Sequence, residues 1–186
     1  MPSLSSSPSV GRTVVPVSEL AFLPAVEQAR LVRRRLVSPV ELVTAYLKRI
    51  ERLDPQLGAY VTVCADRALA EARAAEARAA DARAGEGPLP PFHGVPISIK
   101  DLAETEGVRT TLSCRAFAEH VPAADSAVVR RLRAAGTIVL GKTNTPELGA
   151  RPVTESVLNG ACRNPWDVAL TPGGSSGGAA AAVAAG

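Results

Sequence analysis

Two glycine pairs bracket two serines in the stretch Thr171-Pro172-Gly173-Gly174-Ser175-Ser176-Gly177-Gly178, and an apolar alanine-rich run fills residues 179–185. This feature constrains the fold more than any other. Glycine lets a backbone turn sharply and approach other groups closely. Alanine is the strongest helix former. The stretch therefore reads as a tight turn opening a helix, with backbone N–H groups converging at the turn. Ser175 and Ser176 occupy the place where such a turn presents reactive hydroxyls. A flexible Gly/Ser linker is the plain alternative, but linkers do not run straight into an apolar helix.

The chain has 186 residues, and 46% are hydrophobic, which argues against disorder over most of its length. Aromatics make up 3%, so a core must be built from Ala, Val, Leu and Ile. The net charge of +3 is small and scattered and does not point to nucleic acid. The cluster Arg33-Arg34-Arg35 lies in a helical pattern and reads as a solvated face. Cys64, Cys114 and Cys162 form no CxxC pair, which suggests reduced thiols in a cytoplasmic protein and neither a zinc site nor a disulfide framework. Two histidines, His93 and His120, are too few to suggest a histidine metal site. The Ser/Pro-rich start has no basic region followed by an apolar core, so it is not read as a signal peptide. No apolar run reaches membrane-spanning length.

Along the chain, residues 1–16 read as a disordered arm and residues 17–186 as one partial domain. A helical region over 17–35 is interrupted at Pro24. Ser38, Pro39 and Glu41 form a capping-box start for a helix expected to end at Asp54-Pro55. Residues 60–63 suggest a short strand, and residues 65–84 a helix with opposite charges three or four apart. A proline- and glycine-rich loop over 85–91 precedes a strand over 95–100, with Pro96 favouring its start. Asp125 is expected to cap a helix that turns Val128, Val129 and Leu132 inward and ends at Gly136. Residues 137–140 read as a strand closed by a turn at Gly141-Lys142-Thr143-Asn144. Alternating helices and strands indicate a layered α/β domain.

Three chemistries compete. The string from Gly136 to Gly141-Lys142-Thr143 matches a phosphate-binding loop in spacing, but residues 137–140 are the strand itself and Pro146 forbids the required helix. Gly174-Ser175-Ser176-Gly177-Gly178 matches a nucleophile elbow, but Pro172-Gly173 break the strand it needs, and no histidine follows. The third is a lysine base acting on a serine hydroxyl. Lys100 ends an apolar strand; turned inward, burial would lower its pKa and let the neutral amine accept a proton. Turned outward, it is an ordinary strand-end lysine in water.

The string Gly94-Val95-Pro96-Ile97-Ser98-Ile99-Lys100-Asp101 resembles the lysine motif of the amidase signature family. Gly141-Lys142-Thr143-Asn144-Thr145-Pro146-Glu147 and Asn164-Pro165-Trp166-Asp167 resemble its middle segments, and residues 171–178 its Gly/Ser signature. Order and separation agree from about Ser38 to Gly186. The resemblance implies an α/β fold, the N-terminal portion of a mixed β-sheet flanked by helices on both faces. It implies amide hydrolysis by a Ser-cisSer-Lys triad, without metal or cofactor. Lys100 would be the general base, Ser175, preceded by a cis peptide bond, would bridge to the nucleophile, and Ser176 would support by hydrogen bonding. Thr143, Asn144 and Gly174 are substrate-binding candidates. The partner implied is a small-molecule amide, with no direct nucleic-acid contact and no membrane; the resemblance leaves room for a homodimer of the whole protein.

In that family the nucleophilic serine and the oxyanion hole lie in a second glycine-rich turn, roughly two dozen residues past the cis-serine. Eleven residues follow Ser175 here, so the chain is expected to stop before the nucleophile and to be inactive alone. Alternatives are a non-catalytic binding module of the same fold and the glutaminase subunit of a tRNA-dependent amidotransferase. Asp101 is expected to pair with backbone N–H groups, Trp166 to anchor a loop by burial, His93 to sit in a loop or the core, and Cys114 to be buried.

Overall fold

Three strands form the central sheet: β1 (Tyr60–Val63), β2 (Pro96–Lys100) and β3 (Ile138–Thr143), in the order β1-β3-β2. The computed structural model describes residues 17–83 and 88–186, so the arm expected over 1–16 and positions 84–87 lie outside the described residues. β1 pairs antiparallel with β3, and β2 pairs parallel with it, which makes the sheet mixed. All six residues of β3 are buried. Alternation along a strand sends neighbouring side chains to opposite faces. Ile138 and Leu140 pack with Val43 of α3 (Pro39–Leu57) and with Ala68, Ala72 and Ala75 of α4 (Ala65–Arg83). Val139 packs on the other side with Ile99 and with Val129 of α5 (Ala127–Ala134). Helices thus cover both faces of a mixed sheet, the α/β arrangement expected.

The helices α1 (Val17–Leu20) and α2 (Ala25–Arg33) break at Pro24 and pack Leu20, Leu31 and Val32 against Leu42 of α3. The capping box forms as predicted: Glu41 N–H donates to Ser38 Oγ at 3.1 Å and Ser38 N–H donates to Glu41 Oε2 at 2.8 Å. Such a cap is worth about 1 kcal/mol.

Four local expectations are corrected. α3 does not end at Pro55 but continues to Leu57, because Pro55 and the Glu51 carbonyl it leaves unbonded lie on the solvent side. The N-cap of α5 is Ser126, not Asp125, whose carboxylate is drawn into tertiary contacts with Glu106 N–H and Arg133. Val128 is 52% exposed instead of facing inward. Gly141-Lys142-Thr143 is no turn but the second half of β3. A side chain at Gly141 would drive into the Thr62 carbonyl of β1, so this glycine serves strand approach and not chain reversal.

A short hairpin, β4 (Glu155–Ser156) with β5 (Gly160–Ala161), precedes the glycine-rich turn and α6 (Gly177–Ala185). Leu57, Ala59, Cys162 and Ala181 fix α6 to the end of α3. Among the described residues, no helix is long and apolar enough to cross a membrane.

Candidate active site

β3 brings both halves of the site together. Its Thr143 lies in register with Lys100 at the end of β2, and Asp101 N–H donates to the Thr143 carbonyl at 3.1 Å. The next residues hold the glycine-rich turn. Asn144 N–H donates to Ala59 O at 2.8 Å, the Asn144 carbonyl accepts from Gly178 N–H at 3.1 Å, and Thr145 Oγ1 donates to Ser175 O at 2.9 Å. A Cβ at Gly178 would collide with this backbone, which explains the glycine there. Thr154 ties the two ends of the turn: its hydroxyl donates to Gly173 O at 2.8 Å and accepts from Gly177 N–H at 3.0 Å. The Gly174–Ser175 peptide bond is cis.

Within this frame Lys100 Nζ lies 2.7 Å from Ser175 Oγ and 2.9 Å from Ser176 Oγ. Lys100 and Ser175 are half-buried and Ser176 is exposed. Burial lowers the Lys100 pKa from the ordinary 10.5. No carboxylate is among the hydrogen-bonding partners of this amine, so desolvation is not offset by a counter-charge there. As an ammonium, Lys100 donates to both hydroxyls; as an amine, its lone pair can take a proton from either. Gly174 is exposed beside them, whereas Thr143 and Asn144 are buried beneath the turn, where Asn144 Nδ2 donates to Gly58 O at 3.0 Å.

A second lysine, Lys142, is not at the surface of a turn but wholly buried in β3. Its Nζ donates to Ala103 O at 2.6 Å, Thr110 Oγ1 at 2.6 Å and Thr105 Oγ1 at 3.2 Å. These contacts occupy the group that a phosphate would require. Asp101 is equally buried and, as expected, meets a backbone N–H: Thr111 N–H donates to it at 3.1 and 3.2 Å, and Thr111 Oγ1 donates at 2.5 Å.

Other expectations separate in the same way. His93 is a core residue, its Nε2 2.8 Å from Ala75 O, and burial lowers its pKa. Trp166 is 87% exposed instead of buried. Its loop is held by side-chain oxygens: Trp166 N–H donates to Asn164 Oδ1 and Ala169 N–H to Asp167 Oδ1. Cys114 is half-buried, as is Cys64; Cys162 is buried, and its thiol is pushed up to about 11. Thr154 carried no pattern that could have marked it. A cleft of 510 Å³ opens between α3 and α6 over Pro96, Ser98 and Tyr60, but neither Lys100 nor the two serines line it. The chemistry lies at the glycine-rich turn, because there a lysine meets two hydroxyls within reach of solvent, whereas the hydroxyls around Lys142 are sealed in the core.

Comparison with known proteins gives a consistent picture. Residues 41–186 match the Amidase family. The putative amidase AmiB2 of Mycobacterium tuberculosis (strain ATCC 25618 / H37Rv) is 53% identical over 171 residues, covering 91% of this chain and 35% of that protein. A glutamyl-tRNA(Gln) amidotransferase subunit of Moorella thermoacetica is 48% identical over 168 residues, 90% of this chain and 34% of that one. The structure of peptide amidase from Stenotrophomonas maltophilia superimposes with a TM-score of 0.81 at 34% identity, covering 91% of this chain and 35% of that one. The chain therefore spans about a third of the length of the proteins it matches.

Proposed function

The chain belongs to the amidase family, and on that premise we propose that it supplies the base half of a site hydrolysing carboxylic amides to acid and ammonia or amine. The observation that carries this reading is the 2.7 Å contact between a desolvated Lys100 amine and Ser175 Oγ. Neutral Lys100 draws the Ser175 proton, and Ser175 in turn takes the proton of a nucleophilic hydroxyl supplied from outside these 186 residues. That oxygen bonds to the amide carbon. As the C–N bond breaks, the proton returns through Ser175 to the leaving nitrogen, and water then releases the acid from the ester. Ser176 steadies Lys100, and Gly174 faces the substrate. Thr143 and Asn144 serve substrate binding indirectly, by shaping the turn from below. Residues 17–186 are on this reading part of one domain completed by further chain. A cytoplasmic location belongs to the same proposal and rests on three unpaired thiols.

A second reading, the glutaminase subunit of a tRNA-dependent amidotransferase, draws on the 48% identity to one component of such an enzyme. The chemistry at Lys100 is unchanged; ammonia is passed on instead of released. The test is ammonia release by the whole protein from simple aliphatic and aryl amides and from glutamine. The first reading expects turnover of simple amides, abolished by Lys100→Ala, and none from the 186-residue chain alone. Glutamine turnover that needs partner subunits favours the second. Full activity in the Lys100→Ala protein refutes both.

A further inference from the structure

The base has a neighbour that the reaction does not consume. Lys142 and Asp101 are both 0% exposed, with Nζ and Oδ1 4.0 Å apart. The hydrogen-bond pattern matches a protonated Lys142. The Thr105 hydroxyl donates its proton to Ala103 O at 3.1 Å, and the Thr110 hydroxyl donates to Val108 O at 3.0 Å. Each hydroxyl has one proton, so towards Lys142 both can only accept. The Ala103 carbonyl can only accept as well. Three acceptors require three N–H donors, which is an ammonium.

The acceptors lie in the segment that leaves Lys100. The Lys100 carbonyl accepts from Ala103 N–H at 3.0 Å, and the Ala103 carbonyl accepts from Lys142. One residue thus links the buried ammonium to the backbone of the base. On the other side, the Asp101 carbonyl accepts from Leu112 N–H at 3.1 Å while its carboxylate grips Thr111. Lys142 itself sits on β3 opposite Ile99, one residue before the strand position that pairs with Lys100.

We propose that Lys142, with Asp101, is a positioning device that clamps the turn after β2 and thereby holds Lys100 against Ser175 and Ser176. The inference rests on the reading of Lys100 as a base. A buried ion pair contributes little net stability, since desolvation offsets the attraction, so its placement beside the base is better explained by geometry than by stability alone. Burial lowers the Lys142 pKa to about 8, opposed by Asp101, Cys64, Glu104 and Asp125 around it. At neutral pH Lys142 therefore stays mainly an ammonium.

Lys100 is followed by a 13Cε NMR titration of the whole protein, its signal assigned by its loss in Lys100→Ala. Thr110→Val removes one acceptor of Lys142, and Thr110→Ser restores it; Lys142→Met removes the ammonium. The proposal expects Thr110→Val and Lys142→Met to move the Lys100 midpoint upward by about 1 pH unit as the amine escapes its hydroxyls into water. Thr110→Ser should leave it in place. Thr110→Val carries the test alone if Lys142→Met does not fold. A Lys100 midpoint unmoved in folded Thr110→Val overturns the positioning role while leaving the base intact. An unshifted midpoint in the unsubstituted whole protein overturns the base and its clamp together.

Discussion

Two lysines on adjacent strands meet opposite surroundings. Lys100, at the open end of β2, contacts two hydroxyls and stays half-exposed. Lys142, inside β3, is sealed among a carbonyl, two threonine hydroxyls and a carboxylate. Burial lowers the pKa of both. The difference lies in what remains for the amine to do. Lys142 has its protons committed to a carbonyl and to two buried threonine hydroxyls whose own protons go to other carbonyls. Lys100 faces hydroxyls that can rotate and give a proton back, so it alone can exchange protons with a substrate. A lysine becomes a base where its hydroxyl partners are open to substrate, and a strut where they are buried with their protons engaged elsewhere.

The largest expected effect breaks this contrast at Lys100. In the whole protein, Lys100→Ala should lower amide turnover by about 10²- to 10⁴-fold, the usual contribution of a positioned base, with the thermal midpoint little changed. The pH profile has a defined sign. Only neutral Lys100 accepts a proton, so activity is present above its lowered pKa and lost as pH falls through it. Breaking the contrast at Lys142 should cost stability as well as move the Lys100 midpoint. Lys142→Met leaves the Asp101 carboxylate buried without its counter-charge, and denaturation should show a loss of about 3–5 kcal/mol. Adding Asp101→Asn should recover part of it.

The two lysines also differ in how far the sequence discloses them. Lys100 ends an alternating strand, and the serines sit in a turn marked by four glycines; both signals are local, so both are legible. The capping box at Ser38 and the strand over 60–63 are legible for the same reason. Lys142 is concealed because Gly141 before it imitates a turn, while the need for glycine comes from the Thr62 carbonyl on another strand. Its acceptors at 103, 105 and 110 come from a distant segment with no periodic signature. Asp125 misleads in the same way, its capping propensity overridden by Glu106 N–H and Arg133.

Smaller effects sharpen the comparison. Thr154→Val deprives Gly173 O and Gly177 N–H of their partner and should cost about 1–3 kcal/mol in denaturation, weakening the turn that presents Ser175 without touching Lys142. Trp166→Ala removes an exposed side chain that makes no hydrogen bond to either lysine network, and stability should stay within about 0.5 kcal/mol of the parent.

The most direct measurement is a paired titration of Lys100 in the unsubstituted whole protein and in its Ser175→Ala/Ser176→Ala variant, followed by the 13Cε shift. A base held in a partly desolvated hydroxyl site should titrate below 10.5 in the parent, with a midpoint that moves when both hydroxyls are removed. A parent midpoint at or above 10.5, indifferent to the loss of both serines, would contradict the account.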